Sequence, residues 1–185
     1  QQPVEPHRVD PRAADVVLIV VDMQNGFLTK HSDQIVAPVT ALVERWVKIG
    51  GQIVFTRFFN RPGSPYQRLI GWFRLQQSPE PDLCLALQPF AKTVIDKDYY
   101  TPFTAGLEDL IAKHGWKTLV ICGVATDGCV LKTAVDAFER GLLPIIVRDA
   151  CASHAGPELH QMGITLIERF IGRRQVVNAE TLVTT

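Results

Sequence analysis

The sequence predicts an α/β fold: a mostly parallel sheet with helices on both faces, Rossmann-like in its layering. Three observations predict it. Runs such as VVLIVVD (16–22) and TLVICG (118–123) are almost continuously apolar and rich in β-branched residues, as strands buried on both faces require. Between such runs lie stretches with apolar residues at helical spacing. The two kinds of segment alternate, which is the pattern of right-handed βαβ crossovers.

The elements follow in order. Residues 1–14 (QQPVEPHRVDPRAA) carry three prolines and little apolar content. They read as an extended arm lying on the surface or on a partner subunit, ahead of a single domain over 15–185. VVLIVVD is the first strand and is followed by a loop containing Gly26. APVTALVERWVKIGG (37–51) has Pro38 near its start, apolar positions Val39, Leu42, Val43, Trp46 and Val47, and a glycine stop, so it is a helix. QIVFTR (52–57) is the second strand. An irregular insertion precedes the third, KTVIDK (92–97). Thr104 to Lys113 is a helix with Leu107, Leu110 and Ile111 on one face. TLVICG is the fourth strand. After the turn VATDG, apolar Val130, Ala134, Ala137 and Phe138 trace a helix that Gly141 ends, with Thr126 or Asp127 as its cap. LPIIVRDA (143–150) is the fifth strand, Pro157 opens a helix to about Ile171, and QVV (175–177) is a short sixth strand.

Bulk properties narrow the function. The chain has 185 residues, 19 basic and 19 acidic side chains and a net charge of zero. A single domain of this size buries roughly 70% of its unfolded surface without staples. Neutral charge argues against nucleic acid and against an anionic membrane surface. No apolar stretch approaches the ~20 residues of a membrane span. No signal-peptide pattern is visible. Four cysteines without regular spacing fit neither a disulfide framework nor a zinc knuckle, so a reducing cytoplasm is expected.

In a parallel sheet the site lies beyond the carboxyl ends of the strands. The first strand ends in Asp22, the third in Lys97, and the fourth leads into Cys129. These groups complement one another. Cys129 falls in the first turn of a helix, where the dipole and Lys97 would both favour a thiolate. Asp22 is a proton shuttle if burial beside a neutral thiol raises its pKa. Backbone N–H groups of the VATDG turn and of Cys129 are placed to meet an oxyanion. The combination describes nucleophilic hydrolysis of an acyl–nitrogen bond. Cys84, Cys122 and Cys151 read as packing residues. No Gly-x-Ser-x-Gly elbow is present, and GVATDGCV lacks the Lys-Ser/Thr of a phosphate loop.

VVLIVVDMQNGFL, VIDKDYYTPF and LVICGVATDGCVLKTAVDAFERG together resemble the isochorismatase-like cysteine hydrolases, in order and spacing, over about residues 15–180. The resemblance implies a six-stranded sheet of order 3-2-1-4-5-6 and an Asp22–Lys97–Cys129 triad. It also implies a non-proline cis peptide between Val124 and Ala125 that turns N–H groups toward the oxyanion, and a homo-oligomer, dimer or tetramer. The expected activity is hydrolysis of an amide or ureide C–N bond through a thioester. The alternative is a non-catalytic member that binds small molecules or assembles through the same fold. The nicotinamidase branch of that family carries a metal-binding Asp-x-His and further His after its second strand. Here that stretch reads TRFFNRPGSPYQRL, without His or Asp. No metal and no other cofactor are therefore expected.

The substrate pocket is expected among Gln24, Phe27, Phe58, Asn60, Trp72, Tyr100 and Phe103. The segment 57–78 contains Arg57, Arg61, Arg68 and Arg74 and no acidic residue. One arginine is expected to meet a carboxylate of an anionic substrate; the plainer expectation is a solvated helix covering the pocket or an interface.

Overall fold

The computed structural model describes residues 5–182; the first four residues of the predicted arm lie outside them. Six strands form one sheet: β1 (Val16–Val21), β2 (Gln52–Phe58), β3 (Val94–Lys97), β4 (Thr118–Val124), β5 (Leu143–Ala152) and β6 (Val176–Val177). Their order is β3-β2-β1-β4-β5-β6, as the resemblance implied. All five pairings are parallel. The helices are α1 (Val36–Ile49), α2 (Ala105–His114), α3 (Leu131–Glu139), α4 (Pro157–Ile171) and a short α5 (Ala179–Leu182).

The central strand shows why the apolar runs are unbroken. Every residue of β1 is buried. Leu18 and Val20 pack with Phe55, Val120 and Ile145 against α1, which contributes Val39, Leu42, Val43 and Trp46. Val17, Ile19 and Val21 pack on the other face with Leu119, Ile121 and Ile146 against Leu107 of α2, Ala134 and Ala137 of α3, and Ile164 and Ile167 of α4. Alternate side chains thus enter two separate cores, and neither face tolerates a polar residue. Thr104 caps α2 by accepting from the Leu107 N–H.

The turn before α3 departs from the sequence reading. Cys129 sits in a single wide turn, Thr126–Val130, kinked at Gly128, and α3 begins only at Leu131. Neither Thr126 nor Asp127 caps it. Thr126 Oγ1 instead lies 2.7 Å from His160 Nδ1 on α4. Phe138, expected on the buried face of α3, is exposed. The 57–78 segment holds one wide turn, Tyr66–Ile70, rather than a regular helix. The described part of the arm lies on the chain's own carboxyl end: His7 N–H donates to Arg174 O and Val9 N–H to Leu182 O.

Two glycines set the geometry near Cys129. Gly123 has φ +116°, and a Cβ there would stand 2.1 Å from the Val21 carbonyl oxygen of β1. Gly163 of α4 lies so close to the cysteine turn that a Cβ would stand 2.8 Å from Asp127 N. Both obstacles are backbone, which cannot rotate aside. Gly163→Ala should therefore push α4 off the turn and destabilise the chain by about 1–3 kcal/mol, and Gly123→Ala by more because strained backbone adds to the clash. Urea denaturation measures both; a Gly163→Ala midpoint equal to wild type would refute the close-approach argument.

Candidate active site

The parallel register brings the three strand-end residues together. Phe58 of β2 is level with Lys97 at the end of β3, and Asp22 follows directly on β1. Lys97 Nζ lies 2.8 Å from Asp22 Oδ2, with both side chains fully buried. Lys97 also donates to the carbonyl oxygens of Tyr99 and Tyr100, each at 3.1 Å, and stands 5.7 Å from the Phe58 ring centre. Burial opposes its charge, but Asp22 and Cys129 outweigh burial and hold its pKa above the usual lysine value.

Asp22 has a second buried partner that sequence reading missed. Thr56 Oγ1 donates to Asp22 Oδ1 at 2.7 Å and accepts from the Asp22 N–H at 3.2 Å. The two contacts hold Asp22 at φ +48°, a conformation few non-glycine residues adopt. Thr56 belongs to QIVFTR and reads as an ordinary strand residue; only the β1–β2 register gives it this role.

Cys129 is buried beside this pair, close enough for both Asp22 and Lys97 to act on its thiol. Burial, and then the Asp22 charge, push its thiol up, and Lys97 only partly opposes them. A low-dielectric site beside a carboxylate disfavours a second anion, so this burial works against the thiolate that the turn and Lys97 were expected to favour. The Val124–Ala125 peptide that leads into the turn is cis.

A cavity of about 520 Å³ opens over Cys129, lined by Phe27, Phe58, Tyr66, Trp72, Tyr100 and His154 among others. Of the seven expected pocket residues, Phe27, Phe58, Trp72 and Tyr100 line this cavity. Three expected pocket residues are not in its wall. Gln24 is fully buried and locks the end of β2, donating to Phe58 O and Pro81 O and accepting from Phe58 N–H. Asn60 donates to Trp72 O and accepts from Ser64 Oγ. Phe103 packs on the opposite core under the Arg140 guanidinium, 4.1 Å from the ring centre. Tyr66 and His154 are among the lining residues outside the expected set. His154 stacks on Phe27 at 5.5 Å, and burial lowers its pKa.

The arginine expectation is also corrected. Arg57 pairs with Asp96 at 2.7 Å, Arg61 with Asp98 at 2.8 Å and Arg74 with Glu80 at 2.7 Å. Arg68 donates to Gly63 O. Arg57 and Arg61 both sit over the Phe59 ring. None of the four lines the cavity. A metal centre after β2 does not fit either: Asn60 is committed at both ends of its amide, and among the described residues no group of three or more His, Cys, Asp or Glu converges.

An isochorismatase domain matches residues 16–177. The chain belongs to the isochorismatase family. It is 30% identical to a ureidoacrylate amidohydrolase of Methylobacterium radiotolerans, over 91% of this chain and 78% of that one. A nicotinamidase of Acinetobacter baylyi is 28% identical, over 84% of this chain and 94% of that one. Among solved structures, N-carbamoylsarcosine amidase of Thermoplasma acidophilum superposes with a TM-score of 0.78 at 26% identity, covering 90% of this chain and 97% of that one. The expectation of an enzyme that hydrolyses carbon–nitrogen bonds agrees with these relatives. Among the described residues no helix is long and apolar enough to cross a membrane.

The site's titrating groups set limits on stability. His154 and His160 have lowered pKa values, the first by burial, the second by burial and Arg148. Groups depressed in the fold stabilise it above the unfolded histidine value of about 6.5 and lose that contribution as pH falls. Cys122 and Cys129 are raised, and burial pushes Cys151 up to about 12. Their contribution is complete below the unfolded thiol value of about 8.5 and is lost as pH rises. The melting temperature should be highest between roughly pH 6.5 and 8.5 and fall on both sides. Cys151→Ala should shallow the alkaline fall; an unchanged slope would rule the buried thiol out as its cause.

Proposed function

We propose that this chain hydrolyses an amide or ureide C–N bond of a small molecule, with Cys129 as nucleophile, Asp22 as proton carrier and Lys97 as the charge that holds Asp22 in place. The observation that carries the reading is the convergence of the buried Cys129 thiol with a buried Asp22–Lys97 pair at 2.8 Å at the floor of the aromatic cavity.

Asp22 takes the Cys129 proton as sulfur attacks the substrate carbonyl carbon, so the thiolate forms only as it reacts. Backbone N–H groups of the 125–129 turn are the donors for the tetrahedral oxyanion. Collapse breaks the C–N bond, and the proton on Asp22 leaves with the nitrogen as ammonia or an amine. The thioester that remains is attacked by water, whose proton passes to Asp22 and then back to sulfur. Lys97 stays protonated throughout. Bound to Asp22, Tyr99 O and Tyr100 O, it stabilises the carboxylate and the developing negative charge. No step uses a metal. The four cysteines are free thiols, which favours a reducing compartment such as the cytoplasm.

Ammonia release from a panel of small primary amides and ureides tests the reading. Cys129→Ala should abolish turnover without lowering the melting temperature by more than a few degrees. Asp22→Asn and Lys97→Met should each cost about 10²-fold or more in kcat. The double variant should lose far less than the product of the single losses, because the two act as one unit; multiplicative losses would separate them. Thr56→Val, which keeps shape and removes both contacts to Asp22, should lower kcat about tenfold by misplacing the carboxylate. A panel member bound but never hydrolysed by the wild type would instead favour a non-catalytic binding protein.

A further inference from the structure

Building on the amidohydrolase reading, we propose that the substrate is an uncharged amide whose non-reacting end is an aromatic ring continued by an apolar substituent, and that Trp72 is the side chain that selects it. Charge on the cavity wall is the first argument. Its charged residues are Asp127 and Lys132. Lys132 is paired with Asp136, one helical turn along α3. Lys97, beneath the wall, is committed to Asp22 and two carbonyl oxygens. The arginines of 57–74 are held outside the cavity. A substrate carboxylate would surrender its water here and meet no unpaired cation, only the Asp127 charge, and such burial is unfavourable.

The rings supply the second argument. Trp72 stacks with Phe27 at 5.9 Å and 15° and lies 6.0 Å from Phe58. Tyr66 meets Phe58 and Tyr100 edge-on, each at 5.1 Å. A flat apolar ligand between these groups makes offset and edge contacts of the kind aromatic pairs prefer. The same cavity is also lined by Ile70, Leu131, Val135 and Phe170. Ile70 and Phe170 are 62% and 51% exposed, so an apolar tail reaching them would cover surface that otherwise faces water.

Trp72 is also built to hold its position. Its carbonyl accepts from Asn60 Nδ2 at 2.9 Å, and its N–H donates to Tyr66 O at 3.0 Å. Ser64 Oγ donates to the other end of the Asn60 amide at 2.6 Å. Asn60 is therefore a positioning residue for the selecting ring rather than a contact of the substrate.

Benzamide, 4-propylbenzamide, 4-carbamoylbenzoate and 4-(trimethylammonio)benzamide form the test series. Affinities are measured calorimetrically with Cys129→Ala protein, and kcat/KM with wild type. The propyl compound should bind at least tenfold tighter than benzamide, and the carboxylate at least tenfold weaker. Trp72→Ala should erase the gain from the propyl group. Ile70→Ser, at an exposed position that leaves the core untouched, should reduce that gain about threefold even if Trp72→Ala fails to fold. Equal or tighter binding of the carboxylate, tightest binding of the ammonium, absence of binding by the uncharged amides, or indifference to the propyl tail would each overturn the proposal. Hydrolysis surviving in Cys129→Ala would defeat the nucleophile assignment while leaving the binding series to decide specificity.

Discussion

The Asp22–Lys97 contact is the constraint around which the site is arranged. Two opposite charges with no exposed surface carry a desolvation penalty of several kcal/mol per ion, offset only where geometry and further hydrogen bonds are good. The fold supplies those bonds from three directions. Thr56 on β2 takes one carboxylate oxygen and the Asp22 N–H. The loop after β3 turns two carbonyl oxygens onto Lys97. Gln24 ties the backbone at the end of β2 to the segment after β1. Slip of any one strand by a residue would reverse its side chains and place one charge in an apolar layer. The register of β1, β2 and β3 and the placement of the pair are thus one requirement.

The same burial decides how the thiol works. An exposed cysteine at a helix start gains from the dipole and ionises readily. Cys129 stands instead in a wide turn beside a carboxylate, and burial and the Asp22 charge both push its thiol up. In the proposed mechanism the nucleophile is therefore generated by local transfer to Asp22, with no net charge entering or leaving the cavity. Lys97 makes this workable, since a lone carboxylate at that depth would itself take up a proton. The surface pairs of Arg57, Arg61 and Arg74 have no comparable part, because partly solvated ion pairs contribute little.

Much of this was legible in the amino-acid order. Unbroken β-branched runs identify strands buried on both faces, and the residues that end them identify one edge of a parallel sheet. Asp22, Lys97 and Cys129 could be paired across more than a hundred residues because the topology leaves few alternatives. What could not be read depends on contacts between segments. The arginines of 57–74 look uncompensated within their own window, yet their partners Asp96, Asp98 and Glu80 lie on β3, its following loop and a later turn. Gln24 and Asn60 are polar residues beside the site, and sequence does not say whether an amide faces a ligand or a bare backbone group. Thr56 is unremarkable until β2 is set beside β1. Phe138 obeys helical periodicity, but no described element covers that face of α3.

These differences divide the site into two parts under different physical rules. Its reactive groups stand on strand ends inside a packed sheet, where any displacement breaks backbone ladders and exposes buried charge. Part of its wall, Tyr66, Ile70 and Trp72, comes from the 59–93 insertion, the rest from Phe27, Phe58, Tyr100, the cysteine turn, α3, α4 and His154; within the insertion Asn60 and Ser64 hold the Trp72 turn, and Glu80 accepts from the Leu75 N–H at 2.7 Å. Residues facing the cavity from the insertion are therefore replaceable without touching the sheet, whereas Asp22 and Lys97 are replaceable only together. In the proposed enzyme the insertion's share of the wall can change while the reactive groups stay, because the two rest on different contacts. The aromatic character of Trp72 and Tyr66 belongs to this chain's insertion, and under the proposal above it is there that the preference for an aromatic amide is set.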